Sequence, residues 1–187
     1  MLKYPMAFLI FIFIAFLFLI IFVFSSKKLS PIPYFPSNKK DIALITKALG
    51  LNNNQTIFDL GAGDGIIIFA AAKVANKKKL NTKFVAVEIN PILILILLIR
   101  LFFHPNKKNI KIIRDDIFKM KLSFPTTNYS LLTTFYLYIS PWFLEKVAKK
   151  ISHEFPKAKI ISYMYSIKSL KKSEKKIQGK NTIFVYR

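Results

Sequence analysis

The chain predicts an α/β fold: a doubly wound, mostly parallel, Rossmann-like sheet that ends in an antiparallel hairpin and follows one transmembrane helix. Three observations carry this. Met6 to Phe24 runs for 19 residues without a polar side chain. Beyond it, strand-like apolar runs alternate with helix-like ones, the pattern of parallel strands joined by crossover helices. Three of those strand-like runs end in acid: the glycine-rich Phe58-Asp59-Leu60-Gly61-Ala62-Gly63-Asp64-Gly65, then Phe84 to Glu88, then the run closing in Asp115-Asp116.

The apolar run matches the roughly 20 residues a helix needs to cross a hydrocarbon core of about 30 Å. It is long and aromatic for a signal peptide and shows no small-x-small cleavage site, although Ser25-Ser26 keeps cleavage open as an alternative. Lys27 and Lys28 outweigh Lys3, which puts the body of the protein on the cytoplasmic face of the cell membrane. The expected division is a single-pass anchor over 1–28, a Pro-rich connector over 29–40 and one α/β domain over 41–187. Pro31, Pro33 and Pro36 stiffen the connector.

Asp41 to Leu49 reads as a short amphipathic helix, capped by Asp41 or Asn38 and ended by Gly50. Thr56 to Leu60 is the first strand and Ile66 to Ala75 the helix after the glycine loop. Phe84 to Ile89 is the second strand. Ile92 to Phe103, aliphatic but for Arg100, is too short to span a bilayer. It reads as a crossover helix buried on the sheet, with grazing membrane contact the alternative. Asn109 to Arg114, Tyr129 to Tyr138 and Lys159 to Tyr165 follow as strands, with a helix over Trp142 to Ile151. Lys175 to Gln178 and Asn181 to Arg187 form the closing hairpin around Gly179-Lys180-Asn181, and the basic run Lys168 to Lys176 reads as solvated.

Charge narrows the ligand. The chain has 30 basic and 9 acidic residues, net +21, yet five acids sit at the three strand ends: Asp59, Asp64, Glu88, Asp115 and Asp116. Acids inside a glycine loop would repel the pyrophosphate of a dinucleotide. Ile66 stands where the dinucleotide fingerprint needs its third glycine, and no Gly-Lys-Ser/Thr makes a phosphate loop. S-adenosylmethionine, which has no phosphate and carries a sulfonium and an ammonium, suits the site. Asp59 and Asp64 attract those cations, Glu88 accepts from the ribose hydroxyls, and Asp116 accepts from the adenine amine beside Ile117 and Phe118. The chain has no cysteine, and its two histidines lack ligand-like spacing, so no metal site is expected.

The stretch Phe58 to Gly65, with Glu88 and Asp116 at the next two strand ends, resembles the three cofactor motifs of the seven-stranded, class I methyltransferases. Adding Pro33-Tyr34-Phe35-Pro36-Ser37, Glu88-Ile89-Asn90-Pro91 and the anchor, the chain resembles small membrane-anchored protein-lysine methyltransferases whose eukaryotic members act on the ATP synthase c subunit and the adenine nucleotide translocase. The likeness runs from about Pro31 to Leu170. It implies Asp59, Gly61, Gly63, Asp64, Gly65, Glu88, Asp116 and Ile117 as the cofactor set, and a connector that leads into the site.

Methyl transfer needs a positioned nucleophile and no covalent enzyme intermediate. Many amino-methyltransferases carry Asp/Asn-Pro-Pro-aromatic after the fourth strand, whereas this chain has Tyr136-Leu137-Tyr138-Ile139-Ser140-Pro141, which argues against a base-modifying nucleic-acid enzyme. Tyr136 is the candidate for the acceptor channel, with sheet packing its plain alternative. The expected activity is S-adenosylmethionine-dependent methylation of a lysine in a membrane protein. A quinone or lipid acceptor is the alternative, RNA a further one, and a non-catalytic binding protein the last. Anionic lipid and the compositional drift of a Lys-, Asn- and Ile-rich chain both account for the positive excess better than nucleic acid does.

Overall fold

A computed structural model describes residues 6–122 and 132–187. One helix, α1 (Met6–Ser25), leads a seven-stranded sheet. The strands are β1 (Gln55–Leu60), β2 (Lys83–Glu88), β3 (Ile110–Arg114), β4 (Leu132–Leu137), β5 (Lys159–Tyr163), β6 (Lys175–Gln178) and β7 (Thr182–Tyr186). Their order across the sheet is β3-β2-β1-β4-β5-β7-β6. β1 to β5 pair in parallel, and β7 runs antiparallel to both β5 and β6. The doubly wound sheet and its closing hairpin therefore stand as the sequence predicts. The hairpin turns over 179–181, and the chain start foreseen for β4 at Tyr129 lies outside the described residues.

The order places a topological switch between β1 and β4. The chain steps outward from β1 through β2 to β3, then returns to the other side of β1. Crossover helices leave the two strands in opposite directions, which opens a crevice at their carboxyl ends. β1 is buried along its whole length, so its end is the floor of that crevice.

Two apolar layers hold the sheet. On one face lie α2 (Ile42–Leu49), α3 (Ile66–Lys77) and α4 (Pro91–Phe102). Their buried side chains, among them Ile45, Ile67, Ala71 and Leu97, pack with Ile57, Phe84 and Tyr136. On the other face α5 (Pro141–Glu154) buries Leu144, Val147 and Ile151 against Phe58, Val85 and Phe135. Successive strand residues point to opposite faces, which assigns Ile57 and Phe58 to different layers. The Phe58 and Phe135 rings stack at 4.9 Å.

The structure corrects several local expectations. A 3-10 turn over Lys39–Asp41 precedes α2, and Asn38 rather than Asp41 caps it, its side chain accepting from the Lys40 amide. Asp41 turns inward instead. Its carboxylate accepts from the Tyr163 hydroxyl at 2.7 Å and from the Lys180 and Asn181 amides at 2.6 and 2.9 Å. Those donors hold it below the usual carboxylate range against the opposing cost of burial. β5 stops at Tyr163 because Met164 takes a left-handed φ of 69°. The aliphatic helix is only half buried: Leu93 and Leu97 face the sheet, while Leu95, Leu98, Ile99 and Phe102 are exposed.

Candidate active site

A cleft of about 720 Å³, its open mouth included, lies at the carboxyl ends of β1, β2 and β4. That is within the range of sites for small organic ligands. Its floor is the turn between β1 and α3. The Gly61 and Ala62 amides both donate to the Val87 carbonyl at 2.9 Å, which draws the turn across the end of β2. Gly63 and Gly65 have φ of 58° and 75°, a region other residues enter only under strain. A side chain on Gly63 would also meet the Tyr34 ring, 2.7 Å from where its Cβ would stand. The amino end of α3 opens onto the cleft, with Asp64 Oδ1 accepting from the Ile66 amide.

Two acids here differ sharply. Asp59, at the end of β1, is buried, and among the described residues nothing donates a hydrogen bond to its carboxylate. Burial, helped by the charges of Glu88 and Asp64, pushes its carboxyl up to about 8. Asp64 is matched: its Oδ2 stands 3.0 Å from Arg100 Nη1, and Arg100 also donates to the Asp64 carbonyl. The lone cation in the aliphatic helix thus has a partner, and Asp59 is left as the acid that seeks a positive charge.

Glu88 ends β2, buried under the same turn. Its Oε2 accepts from the Gly63 amide at 2.9 Å, and its Oε1 from the Ile89 and Asn90 amides at 2.8 and 3.0 Å. A carboxylate has about four acceptor directions, so one remains for a ligand hydroxyl while these bonds last. Asn90 caps α4, its Oδ1 accepting from Ile92 and Leu93. Beyond β3, Asp116 Oδ1 accepts from the Phe118 amide at 2.9 Å and so fixes the turn that carries Ile117 and Phe118 into the wall. Asp115 is exposed at the rim.

The opposite wall is aromatic. Tyr136 pairs with Asp59 across β4 and β1. It is buried, and its hydroxyl lies 3.0 Å from Ser37 Oγ. Burial raises its phenol well above the ordinary value, so it stays neutral. Tyr138, two residues on, is half-buried, packs edge-on to Tyr163 and donates to Met164 Sδ. The connector closes the cleft: residues from Pro31 to Ser37 line it. Tyr34 lies over Gly63, and burial first, then the Asp64 charge, push its hydroxyl up to about 12.

The structure therefore gathers all eight expected cofactor-site residues except Gly65 on the lining, and brings Tyr136 beside them. Gly65 sits beneath, where a Cβ would strike Phe69 and Leu97. Tyr34, Ser37 and Tyr138 join the wall without having been singled out as site residues. The Pro33-to-Ser37 motif was the signal for the first two. The alternation of Tyr136 with Tyr138 along one strand was the signal for the third.

A family model described as PRMT5 arginine-N-methyltransferase matches residues 36–138, which hold every strand end of the cleft. A protein-lysine N-methyltransferase of Saccharolobus islandicus (strain REY15A) is 32% identical over 129 residues, 66% of this chain and 77% of that protein. The chain belongs to the class I, Rossmann-like S-adenosylmethionine-dependent methyltransferases. Solved structures share the fold of this methyltransferase at low identity. An RNA methyltransferase from Salinibacter ruber, in complex with S-adenosyl-L-homocysteine, superposes with a TM-score of 0.64 at 17% identity, covering 81% of this chain and 92% of that one. The rRNA methyltransferase aviRa from Streptomyces viridochromogenes does so with a TM-score of 0.61 at 11% identity, covering 82% and 86%. Among the described residues of the methyltransferase, the donor set fits the cofactor: a buried acid without a hydrogen-bond partner, a glycine cradle that a Cβ would fill, and no basic side chain on the cleft lining.

Proposed function

We propose that this methyltransferase is a membrane-anchored protein-lysine N-methyltransferase whose acceptor is a lysine of a membrane protein, held close to the bilayer. The observation that carries it is the chemistry of the acceptor wall. The cleft's acids all stand at the ends of β1 to β3, whereas its β4 side offers Tyr136, Tyr138 and Ile139. An arginine acceptor is always charged and calls for paired carboxylates in a planar fork. A neutral phenolic and apolar wall instead favours the uncharged form of a lysine amine, which is the nucleophilic one. This supports the activity printed for the Saccharolobus relative over the arginine description of the family model.

When bound, S-adenosylmethionine supplies an electrophilic methyl on a sulfonium. The chain's own residues hold and orient. Glu88 takes a ribose hydroxyl, Asp116 and Ile117 receive the adenine, and Gly61, Gly63 and Gly65 let the backbone approach closely. Asp59, ionised by a cation beside it, faces the ammonium and sulfonium end, with Asp64 behind it. Tyr136 and Tyr138 align the amine. The amine's proton leaves to water before attack.

The anchor reading rests on α1, an exposed helix whose 18-residue window has a mean hydropathy of 3.3. Its 20 residues reach about 30 Å at 1.5 Å each. Residues 1–28 then serve as the anchor, 29–40 as the connector and 41–187 as the domain, in the cytoplasm. From Ser25 to the first lining residue, Pro31, the chain can span at most about 20 Å. It spans less, because Leu29 and Ser30 both turn back to the Ser26 carbonyl. A lysine far from the membrane lies out of reach.

The test is to incubate the full chain with methyl-labelled S-adenosylmethionine and membranes, then divide the label by protease, nuclease and organic solvent. Label on lysine in a membrane polypeptide is expected. Label on arginine, in RNA or in the solvent phase overturns the acceptor assignment and names its replacement.

A further inference from the structure

Helix α4 is apolar on both sides. Leu93 and Leu97 face the sheet, but Leu95, Leu98, Ile99 and Phe102, spaced i, i+3, i+4 and i+7, form a second stripe that is 58, 49, 53 and 69% exposed. Phe103, 78% exposed, extends it and meets the Phe102 ring edge-on. A surface helix of a water-soluble domain carries polar residues on that face. One exposed leucine is ordinary, but a contiguous stripe is a binding surface.

What lies beside the stripe says what covers it. α1 packs against α4. Val23 is buried near the end of α1, with Ile20 and Phe24 half-buried on the same face, while most of the helix is exposed. Lysines rim both helices where they end: Lys27 and Lys28 after α1, Lys107 and Lys108 after α4. Lys107 Nζ stands 5.6 Å over the Phe102 ring, an apolar body with a charged tip. Apolar face, aromatic end and basic rim are the parts of a helix that lies in a membrane interface.

We propose that the outer face of α4 is a second membrane contact, seated at the headgroup–acyl boundary of the bilayer that α1 crosses, with the lysine rim on anionic headgroups. This rests on the reading of α1 as an anchor. One tether would let the domain swivel, whereas two contacts fix its tilt. Because α4 starts three residues past Glu88 and its Leu93 lines the cleft, fixing α4 fixes the mouth of the active site relative to the membrane.

The experiment uses the full chain in vesicles of phosphatidylcholine and phosphatidylserine brominated at chosen acyl depths. Trp142→Phe removes the chain's one tryptophan. Into that background go Leu98→Trp on α4, Phe13→Trp on α1 and Lys149→Trp on α5 as three separate probes. Shallow bromines should quench the Leu98→Trp probe by about half, deep bromines the Phe13→Trp probe, and neither the Lys149→Trp probe. An unquenched Leu98→Trp beside a quenched Phe13→Trp overturns this inference and leaves the anchor standing. Quenching at neither overturns the anchor as well. A Leu98→Trp probe with blue-shifted emission but no lipid quenching also overturns it, because protein then covers the stripe. Leu98→Glu should lower methylation of a membrane acceptor about tenfold through lost positioning, with cofactor affinity unchanged.

Discussion

The two walls of the cleft are built in opposite ways. The β1–β3 wall is made of acids and bare backbone, each a few residues from a strand end, and its parts are local: Asp59, Gly61, Gly63 and Asp64 lie within six residues. The β4 wall is made mostly of neutral rings, and its parts come from far apart: Tyr34 and Ser37 from the connector, Tyr136 from β4 and Tyr138 from just past its end. A wall of backbone and charge tolerates almost no added volume but answers to pH. A wall of phenols tolerates small changes and, on the proposed function, would align the nucleophile. The teaching of the contrast is that cofactor affinity and acceptor turnover should separate by mutation.

The largest effect should come from Gly63→Val. Its left-handed φ and the Tyr34 ring leave no room for a side chain, and cofactor affinity should fall roughly 100-fold or more. Titration calorimetry reads it, and a fall below tenfold would mean that Tyr34 gives way easily. Glu88→Ala comes next, with a loss of about 1.5–3 kcal/mol in cofactor binding for a hydrogen bond to a charged group. Unchanged affinity would remove Glu88 from the ribose assignment.

Asp59 should make the same wall sensitive to pH. Its carboxyl is raised from 3.8 to about 8, so the free folded protein keeps a proton that the unfolded chain has lost. Stability of the free protein therefore declines as pH rises through that window and levels off above it. A cationic ligand needs the ionised form, so cofactor affinity should rise with pH toward about 8, by up to about tenfold per unit. Asp59→Asn should flatten that profile, and a profile equally steep in the variant would assign the dependence elsewhere. On the other wall, Tyr136→Phe should leave cofactor affinity within about 0.5 kcal/mol and lower kcat on the acceptor, since it removes only the hydroxyl bonded to Ser37. The smallest change belongs to Arg100→Ala. The pair with Asp64 is part-exposed, so its loss should alter affinity by less than about 1 kcal/mol.

The same contrast governs how far the sequence could be read. The glycine turn and the acids at three strand ends were legible because strand, turn and acid are contiguous, and the fold dictates where a strand end points. The sheet was legible from alternation, down to the hairpin turn at 179–181. Pairings across the fold were not. Nothing in the order of residues says that Arg100 reaches Asp64 over 36 positions, or that Ser37 meets Tyr136 over 99. Between Asn38 and Asp41 as the helix cap the sequence could not choose, because both positions suit one and the partners that draw Asp41 inward lie 122 to 140 residues away. For α4 the sequence left burial and membrane contact both open, since a helix apolar but for Arg100 shows little periodicity to say which side is covered.

Asp41 also sets a timetable. Among the described residues, its buried carboxylate accepts from Tyr163, Lys180 and Asn181, which leave the ribosome 122 to 140 residues after it. At about 5–20 residues per second, α1 is out on the order of ten seconds before those donors exist. During that interval the acid that ties α2 to the hairpin faces water, and burying it unpaired would be costly. The tie between α2 and the closing hairpin is therefore among the last contacts that the described fold can make.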